Sequence, residues 1–173
     1  MSALAFRDAV SIATDVLSRQ ARHAYAEWAD RMNEKAGATL GRLNPRYGDI
    51  RFDTDLTFTV QHVHSGQRLD QKALDAHASA GARDQIYLAV RLAVSEYLSS
   101  SGVRLPFILD DPFASFDDER FARAMEFLLE DAGRDHQIIV LSCHETRHRA
   151  WRQSSDLALS DRMRIIDLTP LSA

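Results

Sequence analysis

The 173-residue sequence has a single cysteine, Cys143, only two lysines, Lys35 and Lys72, and no apolar run near the roughly 20 residues needed to cross a membrane. One cysteine closes no internal disulfide. The start Met1-Ser2-Ala3-Leu4 lacks the charged-then-apolar form of a secretory leader, so the expected location is cytoplasmic, with no membrane partner. A formal charge of -4 and a pI near 5.9 exclude a uniformly basic nucleic-acid binder but leave room for a local basic patch. A phosphate-gripping loop is also missing. It requires G-x-x-x-x-G-K-[ST], because its backbone amides wrap the phosphates and its lysine neutralises them. No two of Gly37, Gly41, Gly48, Gly66, Gly81, Gly102 and Gly133 stand five apart, and neither lysine follows a glycine. With 45% hydrophobic residues, the chain can bury one core but is too short for two ordinary domains plus an extended arm.

Phe6, Val10, Ala13, Leu17, Ala21, Ala24, Trp28 and Met32 recur at three- and four-residue steps, the period of one helical face. They predict a long amphipathic helix that stops in Gly37, Gly41 and Asn44-Pro45. Residues 1–45 therefore read as a helical arm, either an ordinary packing helix or the end of a coiled coil. Residues 46–173 read as a lobe. Within it Ile50, Phe52, Leu56, Phe58 and Val60 alternate with polar residues, and His64-Ser65-Gly66-Gln67 supplies a turn, which predicts antiparallel strands. Farther on, a helix over 84–98, an apolar strand over 105–109, a helix over 118–129 and a strand over 138–141 imply a buried parallel sheet. A short strand over 164–168 is expected to close the chain.

The strand Leu105-Pro106-Phe107-Ile108-Leu109 ends in two adjacent carboxylates, Asp110 and Asp111. At such a sheet edge one acid can hold Mg²⁺ and its neighbour can orient or deprotonate a water, so Asp110 suits the metal role and Asp111 the base role. Asp-Asp-Pro is equally good turn chemistry. Upstream, Ser79-Ala80-Gly81-Ala82-Arg83-Asp84-Gln85 opens a helix, where unpaired amides suit a phosphate or a serine N-cap. Downstream, Ser115-Phe116-Asp117 follows the acidic pair, and the strand ending at Leu141 runs into Ser142-Cys143-His144. A histidine there shares the sheet edge with Asp110 and is within reach of a γ-phosphate.

In order and spacing, these segments resemble the signature, Walker B, D-loop and H-loop series of SMC-like ABC ATPases, in particular long coiled-coil ATPases of the YhaN and SbcC type. The likeness covers residues 47–168. It implies an α/β fold, the C-terminal half of an ABC-type P-loop NTPase head, with a mostly parallel sheet flanked by helices and a long N-terminal helix before it. It further implies ATP and Mg²⁺ as cofactors, bound at a composite site with a P-loop-bearing N-terminal half or partner chain. A head-to-head dimer and DNA as a further partner follow from the same likeness, in a setting of DNA repair, recombination or chromosome maintenance. By position, Ser79, Gly81 and Gln85 correspond to the signature, Asp110 to the Mg²⁺-linked acid, Asp111 to the catalytic acid, Asp117 to the D-loop acid and His144 to the switch histidine. Ala78 and Ala80 replace the leucine and first glycine of the commonest signature.

Two alternatives stand beside this reading. One is an interaction module derived from an ATPase and no longer catalytic. The other is a zinc hydrolase, because His144-Glu145-Thr146-Arg147-His148 matches H-E-x-x-H, although no Glu or His follows His148 and only Asp156, Asp161 and Asp167 remain as a third ligand. Arg147, Arg149 and Arg152 form a basic cluster suited to a DNA phosphate or to a solvated helix face. Trp28 and Trp151 read as packing residues, and Cys143 as a small buried hydrophobe.

Overall fold

The computed structural model describes residues 3–53, 57–100, 102 and 104–168, with side chains from residue 6 onward; Leu56 lies outside the described residues. Helix α1 (Ala3–Leu43) runs through Gly37 and Gly41, where the sequence suggests a stop, and ends at Asn44-Pro45. Packing explains the difference. Met32, Ala36, Leu40 and Leu43, spaced by three and four, are all fully buried. Burying a large apolar side chain is worth about 1.5–3 kcal/mol, which outweighs the roughly 1 kcal/mol that each helical glycine costs. The first half of α1 is different: every side chain from Phe6 to Ala24 is exposed, including Phe6 and Leu17 of the apolar row.

Strands β1 (Tyr47–Phe52) and β2 (Phe58–His62) pair antiparallel, and β3 (Arg68–Leu69) adds to β2. Gly66, at φ +68°, makes the turn between β2 and β3 as expected, with its N–H donating to the His62 carbonyl at 2.8 Å. This sheet presents Ile50, Phe58 and Val60 to the buried end of α1 and to α3 (Ala80–Ser99), which follows the short α2 (Gln71–His77). An aromatic chain ties the layers together: Trp28 meets Phe52 at 5.4 Å, Phe52 meets Phe58 at 5.8 Å, and Phe58 meets Tyr87 of α3 at 5.8 Å.

The second sheet is a parallel pair, β4 (Phe107–Asp110) with β5 (Ile138–Leu141), in register from Phe107 opposite Ile138 to Asp110 opposite Leu141. The crossover between them contains α4 (Asp118–Phe127), a π-bonded turn at Leu128–Ala132 and the single turn α5 (Gly133–Asp135). Helices α6 (Glu145–Ser154) and α7 (Leu157–Ser160) follow, and Trp151 of α6 packs in the core. The pair is parallel, as the βα alternation predicts, but it is covered on one side only. Leu109 is buried, whereas Ile108 is 65% exposed and Ile139 and Leu141 are about two-fifths exposed, because no described element lies over their face. The strand expected over 164–168 does not form. Those residues pair with no ladder, and Ile166 and Leu168 point into solvent.

Candidate nucleotide site

The two carboxylates emerge at the C-terminal end of β4 and then diverge. Asp110 stays on the open face with Ile108 and lines a cleft of about 450 Å³ with Asp84, Tyr87, Arg91 and Asp111. Asp111 closes the ladder by donating its N–H to the Leu141 carbonyl at 2.8 Å, and its backbone then turns into the left-handed region at φ +40°. Aspartate tolerates that region better than most residues. The turn sends its carboxylate towards the loop after β5. There Ser142 Oγ donates to Asp111 Oδ1 at 3.2 Å, Cys143 Sγ donates to Oδ2 at 3.8 Å, and His144 Nε2 lies 3.8 Å from the same Oδ2. Ser142 Oγ also accepts the His144 N–H at 3.1 Å, so one hydroxyl holds both partners. The histidine follows the strand paired with β4, on the sheet edge shared with Asp110 as expected, and its ring stands beside Asp111.

Ser79 caps α3, its Oγ accepting the Ala82 N–H at 3.3 Å, and it remains exposed. Gly81 is buried against the loop before α4: a Cβ there would lie 2.8 Å from the Ser115 carbonyl oxygen and 3.1 Å from an Arg120 guanidinium nitrogen. Ser115 Oγ also donates to Asp84, so the start of α3 and the 115–117 segment are fastened together within one chain. Asp117 caps α4 by accepting the Arg120 N–H at 2.8 Å, and it stays open to solvent. Gln85 is placed differently from the sequence expectation. It is fully buried, its amide donating to the Leu43 carbonyl at 2.8 Å and its oxygen accepting from Asn44 at 2.8 Å, which ties α3 to the end of α1 and keeps it from the loop surface.

The structure corrects three further expectations. Cys143 is exposed, not a buried hydrophobe. Arg147 leaves the supposed solvated face: it donates to the Phe113 and Phe116 carbonyls at 3.3 and 2.8 Å and stacks 4.3 Å from the Phe121 ring. His144 precedes α6, while His148 is buried inside it, edge-on to Phe121 at 5.0 Å, so H-E-x-x-H does not assemble as a zinc set. Burial first, then the charge of Arg147, hold the His148 imidazole below its ordinary pKa of 6.5. Among the described residues, the group able to gather round a metal ion is Asp111, Cys143 and His144. Sequence reading missed Ser142 and Arg147 as organisers of the site, because neither belongs to a recognisable spacing.

No protein-family model matches the chain. It is 31% identical over 135 residues to the uncharacterised protein YhaN of Bacillus subtilis, which covers 75% of this chain and 13% of YhaN. It is also 31% identical over 116 residues to the uncharacterised protein Rv1278 of Mycobacterium tuberculosis, covering 64% of this chain and 12% of that protein. The chain thus spans about an eighth of the length of the curated relatives it matches. Among solved structures, the Smc head domain with a coiled coil and joint from Pyrococcus yayanosii superposes with a TM-score of 0.61 at 14% identity, over 84% of this chain and 28% of that one. A chain from structural work on ATP-driven dimerization and DNA-stimulated activation of SMC ATPases gives a TM-score of 0.56 at 16% identity, over 73% and 75%. The Smc head of Pyrococcus furiosus, bound to the C-terminal domain of ScpA, gives 0.54 at 15%, over 69% and 30%. No described helix is long and apolar enough to cross a membrane. The chain is therefore a sequence relative of YhaN that carries the fold of the C-terminal region of an SMC-like ATPase head.

Proposed function

We propose that this chain supplies the acidic and signature half of a composite ATP–Mg²⁺ site, completed by a P-loop-bearing segment. The observation that carries the reading is the divergence of Asp110 and Asp111 at the end of β4. One carboxylate faces an open cleft, and the other is aimed by Ser142 at the loop holding His144. These residues fit the cofactor: Asp110 is an exposed hard oxygen donor suited to Mg²⁺, and Asp111 is a half-buried carboxylate with a histidine neighbour suited to orienting or deprotonating water. Bound Mg²⁺ would neutralise phosphate charge there. Ser79 at the start of α3, with Asp117, forms the surface offered to the nucleotide of an opposing head; Gly81, buried beneath it, lets the start of α3 sit close on the Ser115 loop, and Gln85 holds α3 against α1. The uncovered face of Ile108, Ile139 and Leu141 suits the missing half of the head. Dimerisation of heads, a cytoplasmic setting and work on DNA in repair, recombination or chromosome maintenance belong to this reading.

The test is a head reconstituted with a P-loop-bearing segment. The isolated chain should turn over no ATP, since most phosphate contacts are absent from it. In the reconstituted head, Asp111→Asn should lower hydrolysis by roughly 10²- to 10⁴-fold while nucleotide binding survives, so that a nucleotide-locked dimer accumulates. Asp110→Asn should lower metal-dependent affinity and hydrolysis together. Equal loss of binding in both variants, or wild-type turnover by Asp111→Asn, would refute this division of labour.

A further inference from the structure

We propose that Asp111, Cys143 and His144 form a binding site for a thiophilic divalent cation of the zinc class. The three offer one carboxylate oxygen, one sulfur and one imidazole nitrogen, all within 4.8 Å of one another. Cys143 Sγ and His144 Nε2 each lie 3.8 Å from the same oxygen, Asp111 Oδ2. Zinc bonds of about 2.0–2.3 Å at tetrahedral angles put donors about 3.3–3.6 Å apart, so closing the set requires shifts of a few tenths of an ångström for the two measured pairs. The donor types exclude magnesium and calcium, which take oxygen, and suit zinc, cobalt or copper. One outer contact is in place as well: Ser142 Oγ donates to the other oxygen of Asp111, orienting that ligand, and also accepts the backbone N–H of His144. Cys143 and His144 are exposed and Asp111 is half-buried, so a cation enters freely and a water completes the fourth position.

The cation site stands on this geometry alone, and its consequence rests on the function proposed above. A cation held there occupies both the base and the switch histidine, so it inhibits hydrolysis.

The isolated chain, kept reduced, is titrated with Co²⁺ alone. One equivalent should bind with a thiolate-to-cobalt charge-transfer absorption and be displaced by Zn²⁺. Cys143→Ser should abolish that absorption, Asp111→Asn and His144→Gln should each weaken binding at least tenfold, and His64→Ala should change nothing. In the unaltered chain, Zn²⁺ should slow alkylation of Cys143 by iodoacetamide. No charge-transfer band, a band that survives Cys143→Ser or is indifferent to His144→Gln, or an alkylation rate untouched by zinc would each overturn the site. In a reconstituted head that hydrolyses ATP, zinc should depress turnover and Cys143→Ser should relieve the depression; turnover indifferent to zinc overturns the inhibitory role. A head that never hydrolyses ATP counts against the proposed function, and cobalt then decides the cation site.

Discussion

At the scale of single residues, two glycines in helices give opposite expectations. Gly81 sits where a methyl group would press 2.8 Å from the Ser115 carbonyl, whereas Gly41 has nothing within 4 Å of where a methyl group would go. Helix propensity favours alanine at both sites by roughly 1 kcal/mol. Gly41→Ala should therefore stabilise by about 0.5–1 kcal/mol, while Gly81→Ala should destabilise by about 1–3 kcal/mol through overpacking. Urea titrations of the two variants check this, and a stabilised Gly81→Ala would show that the α3–Ser115 contact yields easily. His148 supplies a pH dependence. Its folded-state pKa lies below the ordinary 6.5, so above pH 6.5 both folded and unfolded forms are neutral and stability is unaffected. As pH falls below 6.5 the unfolded chain takes the proton first, and stability drops with a slope of up to about 1.4 kcal/mol per pH unit until the folded pKa is passed. His148→Phe keeps an aromatic ring beside Phe121 and should remove that part of the slope. Urea midpoints between pH 7.5 and 5.5, with a chelator present, measure it, and identical slopes in the two proteins would remove His148 as the cause. The sequence made Asp110, Asp111 and His144 visible because a short apolar strand followed by charge is a strong local pattern. It could not show that Asp111 turns left-handed towards Cys143, nor that Gln85 is consumed in the core, because both depend on partners 32 and 42 positions away.

At the scale of elements, α1 is two objects with one backbone. Its last four turns are as much part of the core as β1, while Phe6 to Ala24 touch nothing that buries them. Removing residues 1–20 should change the urea stability of the lobe by no more than about 0.5 kcal/mol, whereas Met32→Ala should cost about 2–5 kcal/mol. A large loss on truncation would mean that the exposed turns contribute to the folded lobe after all. Period-3.6 patterning found α1 from a row of which only Trp28 and Met32 are withdrawn from solvent, so the helix was legible without burial over Phe6 to Ala24, whereas short apolar runs found β4 and β5. The same patterning overran at 164–168, because apolar residues mark a strand only where a neighbouring strand is there to pair with. It also offered Gly37 and Gly41 beside Asn44-Pro45 as stops for α1; only the last ends the helix, because propensity is local and the burial that overrides it is not. Arg147 shows how the elements around the site are coupled. From α6 it holds the carbonyls of Phe113 and Phe116, and the adjacent Ser115 is bound to Asp84 and packed on Gly81 of α3. The helix after the His144 loop and the start of α3 are thus joined through the 113–116 segment.

At the scale of the whole molecule, two sheets share one set of helices but differ in completeness. The antiparallel sheet buries one face in the core it shares with α1 and α3, while the parallel pair, among the described residues, has one bare face and a free edge on each strand. The likeness to SMC heads covers 28 to 30% of the longer Pyrococcus chains. The bare face makes stability a matter of mass action. A segment that covers Ile108, Ile139 and Leu141 binds the folded lobe and not the unfolded one, so at a hundred times its dissociation constant it deepens the folded state by about 2.7 kcal/mol. Under the composite site proposed above, the melting temperature of this lobe is then no fixed constant of the chain: it rises with the supply of a covering segment, and lobes left uncovered are the population that unfolds first.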